Sequence, residues 1–316
     1  MIKSDNNKYI ITGGNGFLGQ HVVKKLIQLN VDRNNIFVPR SKQYDLRSLN
    51  VVRKLLKKDY IVIHLAAKLG GISVNINKQG DFFYDNAIMS LNLIKVGNDV
   101  GIKKFVGIGS IWEYPDITEA PFKEEKLWDG YPAEVTAAYG MAKKVMLLAS
   151  QNFYDQYKFN AIHLLLTNLY GPGDSFDPTN SHVIPAIILK VDYAKKNNLD
   201  YINVWGDGSA SRELLYVKDA ADAIIMATQK YNKKFPINIG TGKQTTIKEL
   251  VTVISSLMGF KGFVKWQTDK LVGQKINQFN VDKAKTEFNF TSKTDLLYGL
   301  KATIKNFYIS NKDFID

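Results

Sequence analysis

Tyr9-Ile10-Ile11-Thr12-Gly13-Gly14-Asn15-Gly16-Phe17-Leu18-Gly19 is the stretch on which the reading of this chain turns. Its first residues are apolar or β-branched, as a short buried strand requires, and glycine recurs at 13, 16 and 19. Next, His21-Val22-Val23-Lys24-Lys25-Leu26-Ile27 returns apolar side chains at helical spacing. Strand, tight turn and helix in that order are the context in which a glycine trio reads as a dinucleotide fingerprint rather than an ordinary turn. The reason is space and charge. Without Cβ atoms the turn tightens, the backbone approaches a pyrophosphate, and the helix packs on the strand with its positive N-terminal end toward the phosphates. Gly13, Gly16 and Gly19, with the intervening Phe17 and Leu18, are candidate cofactor contacts.

Working outward, Ile36-Phe37-Val38 is a second β-rich run, and the spacing then predicts a helix near 49–57, a strand over 60–65, a helix over 82–100 and a strand over 104–108. Strands alternating with helices imply right-handed βαβ crossovers and a parallel sheet covered on both faces, a doubly wound α/β fold. After Tyr170 the text changes, because Gly171-Pro172-Gly173-Asp174 and Asp177-Pro178-Thr179-Asn180 are rich in turn formers. A smaller α/β substrate-binding lobe is expected to begin there. Residues 1–172, with returning segments near 215–245, then form the dinucleotide-binding domain, and residues 173–214 and 246–316 the lobe.

Composition bounds the partners. The 316 residues are 45% hydrophobic and 12% aromatic, enough to bury a substantial core. The net charge of +12 favours anions, but the 42 Lys and Arg are spread along the chain rather than gathered into a tract, so small anions are expected and nucleic acid is not. With no Cys there are no disulfides or thiolate nucleophiles, and the four His are too scattered for a zinc site, so no metal is expected. Met1 to Asn7 is polar, and no apolar run approaches the roughly 18 residues of a membrane span. No membrane partner and a cytoplasmic address are the expectation.

The end of the second strand chooses the cofactor. An acid there would hold the ribose 2′-hydroxyl of NAD, whereas a 2′-phosphate wants Arg or Lys. The sequence reads Val38-Pro39-Arg40-Ser41-Lys42, without an acid, so NADP(H) is expected with Arg40 as clamp and Lys42 as helper. That both are simply solvated loop cations stays open. Asp45 and Leu46 are candidate adenine contacts, although Asp45 also reads as a turn residue.

Tyr139 and Lys143 are four apart and share a face if helical, which lets the ammonium act on the phenol. An unperturbed Tyr titrates near 10, and a nearby cation is expected to favour its phenolate. Ser110, at the end of an apolar run, is placed to hydrogen-bond the same substrate oxygen.

Taken together, Thr12-Gly13-Gly14-Asn15-Gly16-Phe17-Leu18-Gly19, Ser110 and Tyr139-Gly140-Met141-Ala142-Lys143 resemble the extended short-chain dehydrogenase/reductases, over nearly the whole chain. Further strings resemble the GDP-L-fucose synthases within that superfamily: His64-Leu65-Ala66-Ala67-Lys68-Leu69-Gly70-Gly71-Ile72, Thr167-Asn168-Leu169-Tyr170-Gly171-Pro172, Asn180-Ser181-His182-Val183-Ile184-Pro185-Ala186, Val204-Trp205-Gly206-Asp207-Gly208 with Arg212-Glu213, and Asn238-Ile239-Gly240-Thr241-Gly242. The resemblance implies a Rossmann-type sheet, a homodimer and a GDP-sugar substrate. It implies NADPH hydride delivery to a sugar C4 carbonyl, with Tyr139 as proton donor, Lys143 on the nicotinamide ribose and Ser110 polarising the carbonyl. It also places Leu65, Ala66, Ala67 and Asn168 along the cofactor, and Asn168, Lys190, Trp205 and Arg212 along the sugar nucleotide. Trp205 reads alternatively as a core aromatic and Arg212 as a surface ion pair.

The chain departs from that pattern in two places. The synthases epimerise C3 and C5 with a Cys two residues after the catalytic Ser and with a His; here the first position is Trp112 and the second, His182, remains. An indole offers only an N–H donor, so a 4-ketoreductase without double epimerisation is expected, with Trp112 and His182 contacting the sugar. His182 then orients a hydroxyl or is structural. Glu113 is expected on an extended strand, pointing away from Ser110 and Trp112. At the nucleotide end, Val272-Gly273-Gln274-Lys275-Ile276-Asn277 lacks the Asp-Gly and basic pair of the synthases. His64 and His163 are expected to be packed, and His21 reads as a surface residue. The alternatives are a full epimerase/reductase and a 4-epimerase or dehydratase that recycles bound NAD; Arg40 argues against the latter.

Overall fold

β1 (Tyr9–Thr12) is buried at every position and pairs in parallel with β2 (Ile36–Phe37) on one side and β3 (Ile61–His64) on the other. The protein is seen in a computed structural model that describes residues 6–70, 77–178, 181–269 and 276–312. Of the strings above, Gly71-Ile72, Thr179-Asn180 and Val272-Gly273-Gln274-Lys275 lie outside the described residues.

The sheet continues through β4 (Lys104–Ser110), β5 (Ala161–Leu166) and β9 (Ile237–Ile239), in the order β2-β1-β3-β4-β5-β9, every pair parallel. Strand alternation divides its side chains between two cores. Ile11, Ile63 and Val106 pack with Val22 and Leu26 of α1 (Phe17–Gln28) and Ile224 of α6 (Val217–Lys230). Ile10, Val62 and Phe105 pack on the other face with Val52 of α2 (Leu49–Leu55), Leu93 of α3 (Gln79–Val100) and Met146 of α4 (Glu134–Tyr157). This is the expected doubly wound parallel α/β sheet, and its strand order reverses beside β1, so the β1/β3 crevice at the strand carboxyl ends is the place for a ligand. No helix among the described residues is long and apolar enough to cross a membrane.

A second group of elements follows. β6 (Asn168–Tyr170) pairs with β8 (Ser211–Tyr216), which also pairs with β10 (Gln244–Thr246), and β7 (Tyr201–Trp205) pairs with β11 (Phe263–Gln267). Ile187 and Val191 of α5 (Val183–Lys196), Leu250 and Ile254 of α7 (Ile247–Leu257) and Leu300 of α9 (Leu296–Lys312) form its core. Not all of 246–316 packs there: Ala284 and Phe288 of α8 (Asp282–Phe288), with Phe290, join the core against α6 and β9. A small cluster of Ile111, Tyr114, Phe122, Leu147, Leu165 and Phe279 fills the space behind the β4 carboxyl end.

Candidate active site

The crevice is built first from missing atoms. Gly13 has φ +69°, where L side chains are strained, and a Cβ on it would stand 2.7 Å from the Ala66 backbone nitrogen. A Cβ on Gly19 would stand 2.2 Å from the Gly13 carbonyl oxygen, so α1 reaches β1 only because that atom is absent. Gly16 is the N-cap of α1 and offers no side chain to the helix's free N–H groups, which leaves them for an anion. A cleft of about 950 Å³ opens above this turn and is lined by Gly13, Gly16, Arg40, Leu46 and Leu65 through Ala67. Phe17, Leu18 and Gly19 form the first turn of α1 beside it. Arg40 and Lys42 are exposed on its wall. Glycine cradle, helix N-terminus and cationic wall fit a dinucleotide that carries an extra phosphate.

Asp45 lies on the same wall with its carboxylate already engaged. Arg47 Nη2 donates to Asp45 Oδ2 at 2.7 Å, and this bond holds the Asp45 carboxyl at about 2. Arg47 also reaches Asp85, which Lys68 contacts in turn. Sequence reading missed Arg47; its position two residues after Asp45 was the available signal. His64 is packed as expected, with Nδ1 2.8 Å from Thr12 Oγ1 and Nε2 3.3 Å from Ser90 Oγ.

The second constellation stands at the end of β4. Ser110 is half-buried and caps a single 3₁₀ turn, Ile111–Glu113: its Oγ accepts from the Trp112 N–H at 3.3 Å, and Glu113 Oε1 accepts from the Ser110 N–H at 2.8 Å. The turn corrects the expectation for Glu113. The strand ends at Ser110, and the capping box turns the carboxylate back beneath it instead of away. There Glu113, fully buried, meets His163 Nε2 at 3.0 Å.

α4 delivers Tyr139 and Lys143 to this turn from one face. Lys143 Nζ lies 5.5 Å from the Tyr139 ring centroid, and Trp112 stands edge-on to Tyr139 at 5.8 Å. A Cβ on Gly140 would fall 2.1 Å from the Trp112 carbonyl oxygen, so glycine there is what lets the helix close on the turn. Tyr139, Lys143, Ser110 and Trp112 are thus brought together. The expected lowering of the phenol is not found: burial, and secondarily the Glu113 charge, push Tyr139 well above the ordinary tyrosine value. Burial pulls Lys143 down to about 8, against an upward pull from Glu113. At neutral pH the arrangement is a protonated phenol beside an ammonium, which suits a proton donor.

The remaining candidates lie on the second group of elements. Asn168 Nδ2 donates to the Glu213 carbonyl at 3.1 Å, and Lys190, half-buried on α5, donates to the Asn203 carbonyl at 2.8 Å. Arg212 is half-buried and donates to the Ser211 carbonyl at 2.8 Å, while Trp205 is 54% exposed rather than a core aromatic. Glu213, unforeseen, gathers the N–H groups of Thr241, Gly242 and Phe279 and ties two loops to β8 beside Arg212. His182 is exposed at the N-cap of α5, its Nδ1 3.7 Å from Asp174 Oδ1. His21 is tied into the fold rather than free at the surface, with Nε2 2.8 Å from the Pro172 carbonyl oxygen.

Comparison with known proteins identifies the family and the fold. Residues 9–240 match the family described as NAD dependent epimerase/dehydratase. The chain is 32% identical over 313 residues to a GDP-L-fucose synthase from Sinorhizobium fredii, covering 98% of each sequence. A crystal structure of a GDP-6-OMe-4-keto-L-xylo-heptose reductase from C. jejuni superposes with TM-score 0.89 at 25% identity, over 97% of this chain and 99% of that one. A GDP-mannoheptose C4 reductase from Campylobacter jejuni, with NADP bound, gives TM-score 0.86 at 25% identity, over 96% and 98% of the two chains.

Proposed function

The chain belongs to the NAD dependent epimerase/dehydratase family, as an NADP(H)-dependent oxidoreductase of its GDP-sugar synthase and reductase group, and on that premise we propose that it reduces the C4 carbonyl of a GDP-4-keto-6-deoxyhexose-like sugar without epimerising C3 and C5. Arg40 and the open end of α1 hold the cofactor's phosphates, with Lys42 beside them. Bound NADPH supplies the hydride. Tyr139 gives its phenolic proton to the carbonyl oxygen as that oxygen gains charge. Ser110 Oγ already accepts a bond from the Trp112 N–H, so its own hydrogen is available to the same oxygen. Lys143, as a cation beside the ring, steadies the phenolate left behind and holds the nicotinamide ribose. Asn168, Lys190, Trp205 and Arg212 line the sugar-nucleotide side, where cations suit a diphosphate.

The observation that carries the limit on epimerisation is Trp112 set edge-on against Tyr139. It occupies the position where the resemblance expects a thiol, and an indole cannot exchange a proton at useful pH. One observation favours the second reading, a full epimerase/reductase: Asp174 beside His182 is a carboxylate able to support a base. Incubating the protein with NADPH and 4-keto GDP-, UDP-, CDP- and dTDP-sugars in deuterated water tests both readings. Oxidation of NADPH confined to the GDP sugar, with no deuterium at C3 or C5 by NMR, is expected. Deuterium at those carbons restores the second reading, and turnover of another nucleotide alone removes the GDP assignment.

A further inference from the structure

Beneath the proposed proton donor lies a carboxylate–imidazole pair that the reaction does not itself use. Glu113 and His163 are 0% and 1% exposed, and the imidazole Nε2 sits 3.1 and 3.0 Å from the two carboxylate oxygens. The fold makes room for them. A Cβ on Gly109 would stand 2.2 Å from Glu113 Oε1 and 2.3 Å from His163 Nε2, so the pair occupies the volume of a missing side chain on β4. One of those oxygens, Oε1, also accepts the Ser110 N–H. His163 Nδ1 is buried with no hydrogen-bond partner among the described residues. The Glu113 carboxylate acts on the groups that face it: Tyr139, Lys143 and Lys144 of α4, and Tyr114 in the turn. Lys143 is faced in addition by His64 at the end of β3.

We propose that Glu113 and His163 form a buried positioning unit that sets the Ser110 backbone and supplies the counter-charge which keeps Lys143 an ammonium and Tyr139 a neutral phenol. The proposal rests on the reductase reading of those two side chains for its purpose, but not for its test. The sign follows from Coulomb attraction: an anion nearby favours a protonated Lys and a protonated Tyr alike. Removing the charge in Glu113→Gln, which keeps an oxygen for the Ser110 N–H, lowers the midpoint of Lys143.

The measurement is NMR titration of the protein carrying ¹³C-labelled lysine, with Lys143 assigned through Lys143→Arg and no substrate or cofactor added. Starting from about 8 in the parent, the Lys143 midpoint is expected to fall by about one unit in Glu113→Gln. The alkaline limb of kcat should move down with it, a change that a merely structural role would not cause. An unmoved Lys143 midpoint in folded Glu113→Gln overturns the proposal. If that variant does not fold, His163→Gln decides: it keeps a donor to Glu113 and is expected to leave the Lys143 midpoint in place. A rise would show that the imidazole had carried a cancelling charge, and would overturn the proposal. Should Lys143 shift as expected while no keto sugar is reduced, the charge unit stands and the reductase reading alone fails.

Discussion

The turn after β1 and the turn after β4 leave the same parallel sheet at the same end, yet they are made of opposite materials. The first is built by removing side chains: Gly13 and Gly19 let backbone meet backbone, and the helix that follows presents bare N–H groups. The second is crowded with them. Ser110 and Glu113 cap each other, His163 pins Glu113 from the next strand, and Trp112 lies against Tyr139. A bare turn holds a phosphate through groups that every chain possesses, and is tuned by shape. A crowded turn places groups that carry protons, and is tuned by burial and charge. Position at the end of a strand is thus common to both, while the contents of the turn decide between binding and reaction.

The sharpest way to break this contrast is Tyr139→Phe. It should lower kcat by about 10²–10⁴-fold while NADPH affinity by fluorescence titration is unchanged; a surviving rate would mean that the crowded turn does not supply the proton. Gly19→Ala should act the other way. Its methyl has nowhere to go beside the Gly13 carbonyl, and overpacking of about 1–3 kcal/mol, if it falls on the bound state, raises the NADPH Kd about 5- to 150-fold, with kcat at saturation much less affected. The smallest effect belongs to the rim. Arg40→Ala should reduce the preference for NADPH over NADH by about tenfold, the value of one charge-assisted contact at an exposed site. An unchanged preference would leave the 2′-phosphate to Lys42 or Arg47.

The two turns also differ in how far the sequence discloses them. Glycines at 13, 16 and 19 after an apolar run were sufficient for the first, because a cradle made of absences is visible wherever the absences are spaced correctly. Tyr139 and Lys143 were equally legible, since four residues apart on a helix is one face. Glu113 was misread, and the reason is specific. Strand periodicity was carried past Ser110, but the chain leaves the strand there through a capping box whose two members, Ser110 and Glu113, were present in the text. Its partner His163 lies 50 residues away on β5, and no local pattern announces a pairing of that kind. The protonation of Tyr139 was likewise beyond the sequence, because it depends on burial and, after it, on the charge of Glu113. Among the residues of the second group of elements, exposure of Trp205 and the tie between Glu213 and two loops belong to tertiary packing alone.

The central claim is that hydride arrives at C4 of the sugar from the cofactor held over the bare turn, while the crowded turn gives the proton to oxygen. Turnover of a GDP-4-keto-6-deoxyhexose with NADPH deuterated at its transferable position tests it most directly. The account requires one deuterium at C4 of the product, and in Tyr139→Phe the same label at C4 in a product formed much more slowly. A product formed with hydrogen from water at C4, or without any oxidation of NADPH, would contradict it.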